Sequence, residues 1–290
     1  MTKPTDAEGL VALGNEHSDA GRIVEAEAAY RAAITASPAW SVPWYDLGLL
    51  YKYQGRWQES YEFNQKAAEL APDEEAAWWN LGIAATALGQ WADARRAWQA
   101  CGFEMPPGDG PLDLNYGSVP VRLDPDGVAE VVWAHRLDPA RAEILSVPLP
   151  TSLFRWHDIV LHDGAAQGYR ARHGEQIPVF NVLTRLEPSP YQTFILELAT
   201  SDRAAIETLE QVAEEAGGAA EDWGSTTNIL CRKCSLGLPH YHRDGSRNPA
   251  HPHCGVAARD AAHLELILSK WLAASPAADL VRWQPASGVP

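Results

Sequence analysis

The chain has 290 residues, 46% of them hydrophobic and 21% charged, the balance of a soluble globular protein with room for about two domains. Its 38 acidic residues against 23 basic ones leave a formal net charge of −15. That argues against a general nucleic-acid binder and against a membrane-surface protein, since both need basic surface.

The start, "MTKPTDAEGLVALG", is polar and lacks the apolar core of a signal peptide. No apolar run reaches the roughly 20 residues that span a bilayer. These features lead to the expectation of a cytoplasmic protein.

The first third is periodic. Trp44-x2-Leu47-Gly48-x2-Tyr51 returns as Trp78-x2-Leu81-Gly82-x2-Ala85 and as Leu10-x2-Leu13-Gly14-x2-His17, always 34 residues apart. The same offset relates Gly21, Gly55 and Gly89, and likewise Ala26, Ser60 and Ala94. It also relates Ala33, Ala67 and Cys101, and Pro38, Pro72 and Pro106. Each unit reads as two helices. The first glycine series ends helix A in a left-handed residue, small residues let helix B approach, and proline stops it.

This pattern resembles the tetratricopeptide repeat (TPR) family, a 34-residue helix–turn–helix unit. Units at 7–40, 41–74 and 75–108 form a helical solenoid domain over 1–106. His17 and Ala85 depart from the usual tyrosine, and Asn64 stands where a large aromatic is expected; Tyr30 and Trp98 hold that place in the other units. In the family the concave groove is lined by helix A at unit positions 2, 5, 9, 12 and 13.

The resemblance therefore implies partner-binding positions that include Asn15, Tyr45, Leu49, Lys52, Tyr53, Trp79 and Ile83, with Asn80 nearby. Only Asn15, Lys52 and Asn80 suit the clamping of a peptide carboxylate, so no such clamp is expected. Tyr45, Tyr53 and Trp79 suit a hydrophobic peptide, or pack against the second domain; the sequence leaves both open.

"MPPGDGPLD" opens a linker, placed at 107–118. Beyond it "GVAEVVWAHRL" (127–137), "AEILSVPLP" (142–150) and "DIVLHDG" (158–164) read as strands of a β-rich subdomain, 119–188. "PDG" (125–127) and "HDG" (162–164) suit turns.

From 191 the order is a strand, a helix over 201–218, a strand at 219–226, a strand at 255–259, a helix over 260–275 and a last strand at 278–285. That is the order of a ferredoxin-like βαββαβ half, 189–290. The expected fold class is thus a three-unit TPR solenoid followed by an α+β domain with an inserted Cys/His zinc loop. This second domain also loosely resembles bacterial modules with a "W-A…VP…D-V-V…DG" pattern, on Trp133, Ala134, Val147, Pro148, Asp158, Ile159, Val160, Asp163 and Gly164. That resemblance implies no activity.

The inserted stretch runs from Cys231 to Cys254 and holds three of the four cysteines and four of the ten histidines. Cys231 and Cys234 form a CxxC, and thiolate plus imidazole is what tetrahedral zinc prefers. His240, His242, His251, His253 and Cys254 are the candidates for the remaining ligands. A long connection with little apolar content needs such a staple. The stretch offers no Glu for a general base, so a structural zinc is expected, and surplus histidines leave metal carriage or sensing open. No Walker loop, GxSxG or HExxH occurs. The expected function is a non-enzymatic adaptor for a protein or peptide partner, with metal handling as the alternative and a hidden zinc hydrolase as a third reading.

Overall fold

A computed structural model describes residues 6–127, 129–172, 175–199, 202–226, 228–229, 253–276 and 278–286. The chain divides into two compact units, Met1–Asp113 and Leu114–Pro290.

The first unit is six helices: α1 (Ala7–Asp19), α2 (Ile23–Ala36), α3 (Val42–Tyr53), α4 (Trp57–Leu70), α5 (Glu75–Ala87) and α6 (Trp91–Ala100). They pair as three hairpins in the expected 34-residue register. Gly21, Gly55 and Gly89 all take left-handed φ values of 71°, 67° and 67°, the conformation that lets each helix A stop. The tryptophans at unit position 4 tie one unit to the next. Trp44 Nε1 donates to the Pro38 carbonyl at 3.1 Å, and Trp78 Nε1 donates to the Pro72 carbonyl at 2.9 Å.

Helix B crosses helix A at the repeated glycine. A Cβ on Gly48 would stand 2.5 Å from the Asn64 amide, and one on Gly82 would stand 2.7 Å from the Trp98 ring. The Asn64 departure is thus accommodated at the same crossing. Its amide donates to the Ser60 carbonyl at 2.8 Å, while Ser60 Oγ donates to the Gly48 carbonyl at 2.9 Å.

The second unit begins in the segment expected to be linker. Leu114 and Tyr116 already bond the backbone of Leu137 and Arg136, ahead of β1 (Ser118–Arg122). The next strands are β2 (Glu130–Arg136), β3 (Arg141–Ile144), β4 (Ile159–Arg172) and β5 (Glu175–Glu187). Successive strands pair antiparallel, and β5 returns parallel to β1, so the five strands close on themselves. Val121, Leu123, Ala134, Ile144, Val160 and Phe180 fill the core of this barrel.

The "HDG" turn expected at 162–164 is instead part of β4. Register shifts between Leu161 and Tyr169 absorb the glycines as bulges. The strand expected over 142–150 stops at Ile144, where Ser146–Leu149 leave the sheet as an irregular segment ahead of a 3-10 turn (Pro150–Ser152).

The rest is β6 (Gln192–Leu198), α7 (Arg203–Glu215), β7 (Ala219–Asp222), α8 (Trp223–Thr226), β8 (Asn228–Ile229), β9 (His253–Ala258), α9 (Ala261–Ala274) and β10 (Leu280–Pro285). The sheet order is β10-β6-β9-β7, all antiparallel, the connectivity of two interleaved βαβ units. Asp202 and Asp260 cap their helices by accepting from the Ala204 and His263 amides. Tryptophan is used as packing here. Trp271 is buried with Nε1 donating to the Ala205 carbonyl at 2.7 Å, and the Trp223 ring lies over Gly255. The strand expected over 219–226 ends at Asp222, where Gly224 N donates to the Asp222 carboxylate and starts a short helix.

The two sheets form one unit because polar contacts stitch them. Val147 N donates to Glu221 Oε2 at 2.7 Å, and Trp223 Nε1 donates to the Val147 carbonyl at 2.7 Å. Buried Asp158 accepts from the Arg155 and Ser189 amides at 2.8 and 2.7 Å. Val147 and Asp158 belong to the residue pattern noted in the sequence, and the structure gives both a structural role.

Candidate peptide groove

Helix A of each repeat presents positions 2, 5, 9, 12 and 13 to one face. On α3 those positions are Val42, Tyr45, Leu49, Lys52 and Tyr53. Tyr53 is 62% exposed and Val42 37%, while Tyr45 and Leu49 are half-buried. On α1, Asn15 is exposed and its Oδ1 accepts from the Tyr30 hydroxyl at 2.7 Å. Tyr30 reaches that place from α2, so three helices meet at the floor between α1 and α3.

The other half of the set is covered. Lys52, Asn80 and Ile83 are buried, with Lys52 only 3% exposed and its Nζ donating to Asn80 Oδ1 at 3.0 Å. The same Nζ lies over the Tyr53 ring, 4.6 Å from its centre. Trp79 packs edge-on to Trp98 at 5.4 Å and against Phe103 at 5.9 Å. Lys52, Asn80 and Ile83 hold groove positions by register without being available at the surface, and Trp79 is engaged in aromatic packing.

The open half is electronegative. Asp46, one position beyond Tyr45, is largely withdrawn from water, and burial pushes its carboxyl up to about 6. The Tyr30 hydroxyl is pushed up to about 12, first by burial and then by the charge of Asp46. At the start of α1, Asp6, Glu8, Ser37 and Trp40 line an open depression of about 630 Å³.

The metal candidates Cys231, Cys234, His240, His242 and His251 lie outside the described residues. His253 is the first residue of β9, its backbone paired with Glu197. Cys254 is fully buried in the apolar cluster with Leu196, Val256 and Leu268. Burial raises its thiol to about 12, with Asp222 and Glu210 adding to the shift. In this environment the thiol packs as a small apolar side chain. Among the described residues no group of three metal-binding side chains gathers.

Two buried groups escaped the sequence reading. Glu130 is buried and pushed up to about 7 by burial and by Glu221, although the Leu149 amide pulls the other way. His162 is wholly buried against Phe180, its Nδ1 accepting from Gly164 N at 3.0 Å. Burial pulls this imidazole down to about 3, so it is neutral. Neither position carries a periodic or motif signal that could have marked it.

No family model matches the chain, and no curated protein matches it. Solved structures match the N-terminal third, and they are TPR domains. The crystal structure of MamA is 24% identical over 33% of this chain and 56% of that one, with a TM-score of 0.32. The second TPR of Spaghetti (RPAP3), bound to the HSP90 peptide SRMEEVD, is 21% identical over 32% of this chain and 87% of that one, at 0.32. The Sgt2 TPR domain from Aspergillus fumigatus is 21% identical over 32% and 62%, at 0.31.

Proposed function

We propose that this chain is a cytoplasmic adaptor, not an enzyme, whose helical repeats grasp a protein or peptide partner. The observation that carries the reading is the face of α3. There Tyr53 and Val42 stay in water beside half-covered Tyr45 and Leu49, a row of apolar side chains at the spacing that a helical repeat offers to a bound segment. Replacing Tyr45 and Tyr53 together by alanine is expected to abolish capture of the partner from lysate. Tyr169→Ala, which removes an exposed aromatic of the second unit, leaves capture intact and serves as the control. Unchanged capture by the double variant points away from the groove.

In the same reading Cys231 and Cys234, with two of His240, His242, His251, His253 and Cys254, hold a structural zinc that fastens the long connection between β7 and β9. Support comes from the CxxC spacing and the run of imidazoles. Such a metal contributes folding free energy to its loop and supplies no reaction step. Elemental analysis of the purified protein is expected to show about one zinc per chain. The Cys231→Ser, Cys234→Ser double variant is expected to lose it while the helical signal of the solenoid persists. Metal-free wild-type protein would remove the fastener from the proposal, and rapid exchange to a mild chelator with the fold intact would favour metal carriage.

A further inference from the structure

Resting on the groove reading above, the open half of the face also specifies the charge of what it holds. We infer that the space between α1 and α3 binds a peptide segment of the partner that carries lysine or arginine between apolar side chains.

The apolar part of the complement follows from Val42, Leu49 and Tyr53, at spacings of seven and four residues along one side of α3. The cationic part follows from the carboxylates among them. Asp46 follows Val42 by four residues, so it lies one turn further along the same stripe. Asp19 extends the acidic character on α1, and Glu8 continues it beside the depression that Trp40 helps to line.

Among the described residues, Glu8, Asp19 and Asp46 have no salt-bridge partner. Ion pairs hold some carboxylates elsewhere in the unit, as Glu59 with Arg56 and Glu27 with Arg31. Exposed ones without an ion pair among the described residues, such as Glu25, Glu62 and Asp73, occur there too, so what sets Asp46 apart is its withdrawal from water. A carboxylate withdrawn from water without a cation pays a desolvation penalty that an incoming cation recovers. The indole of Trp40 offers a second favourable surface for a guanidinium or ammonium group.

An acidic segment meets the opposite conditions. Lys52 is the one basic residue at a groove position, and it is buried with its Nζ bonded to Asn80. The surrounding unit is acidic as well. Residues 1–113 hold 17 acidic and 8 basic residues, so the field outside the groove draws cationic segments in and turns anionic ones away.

The test is fluorescence anisotropy of the full chain with two labelled libraries of short peptides, capped at both ends. Both carry leucine or phenylalanine at alternate positions; one has lysine or arginine between them and the other aspartate or glutamate. The basic library is expected to bind about tenfold more tightly. Asp46→Asn is expected to weaken it about fivefold, and Tyr53→Ala should weaken it as well. Preference for the acidic library, still sensitive to Tyr53→Ala, would overturn the charge assignment while leaving the groove standing. Basic-library binding unmoved by either substitution would reduce it to diffuse attraction and overturn the inference. If neither library binds, the groove itself fails.

Discussion

Both carboxylate oxygens of Glu130 accept from the Leu149 amide, at 3.0 and 3.1 Å, while the side chain is shut away from water. The geometry favours an anion and the burial opposes it. Burial wins, and with Glu221 nearby the group is raised to about 7. A carboxyl whose folded value lies above its unfolded one stabilises the fold when protonated. That contribution is complete below the unfolded value of about 4.5 and is lost as the pH rises through about 7. The wild-type chain is therefore expected to lose up to about 3 kcal/mol between pH 5 and pH 8 from this site. Glu130→Gln keeps an acceptor for the Leu149 amide and cannot titrate. Urea denaturation at the two pH values should show a flatter profile for the variant, with its advantage confined to pH 8. Parallel profiles would place the pH sensitivity elsewhere.

At the level of elements, what could be read from the sequence depended on whether a local signal repeated. The six helices were legible because each structural demand recurs at a fixed offset. Gly21, Gly55 and Gly89 supply left-handed stops, Trp44 and Trp78 reach the preceding proline carbonyl, and a glycine sits under each crossing side chain. The βαββαβ order was legible from strand and cap signals such as Asp202 and Asp260.

The barrel was read only in part, for a physical reason. Gly164 and Gly168 take positive φ inside β4, so residues that usually punctuate a turn here form bulges in a long strand. β5 and β1 lacked a clean alternation to announce them, and closure depends on a parallel pairing between strands 59 residues apart at Arg122 and Asn181. Register places Lys52, Asn80 and Ile83 at helix A positions of their repeats, but their burial is a tertiary fact that no single-helix periodicity contains. The burial of Cys254 on β9 is likewise a tertiary fact that its spacing from His251 does not contain.

At the scale of the molecule, folding autonomy follows the polar stitching and not the composition. The sequence divides the second half at 188/189, between a β-rich part and an α+β part. Several buried or half-buried contacts cross that division: Asp158 accepts from Ser189 N, Glu221 from Val147 N, and the Val147 carbonyl from Trp223 Nε1. Cutting there leaves a buried carboxylate and backbone groups without partners, each costing about 1–3 kcal/mol. A fragment of roughly 70 or 100 residues has only a few kcal/mol to lose.

Residues 1–113 and 114–290 are the two compact units of the chain, and each contains apolar clusters of its own. The expected outcome is that these two fragments are soluble and melt cooperatively by circular dichroism, the first strongly helical. Fragments 119–188 and 189–290 should each fail to give a cooperative melt. A well-folded 189–290 would show that its four-stranded sheet and two helices suffice alone, and that the Val147 and Asp158 contacts join two parts already complete without them.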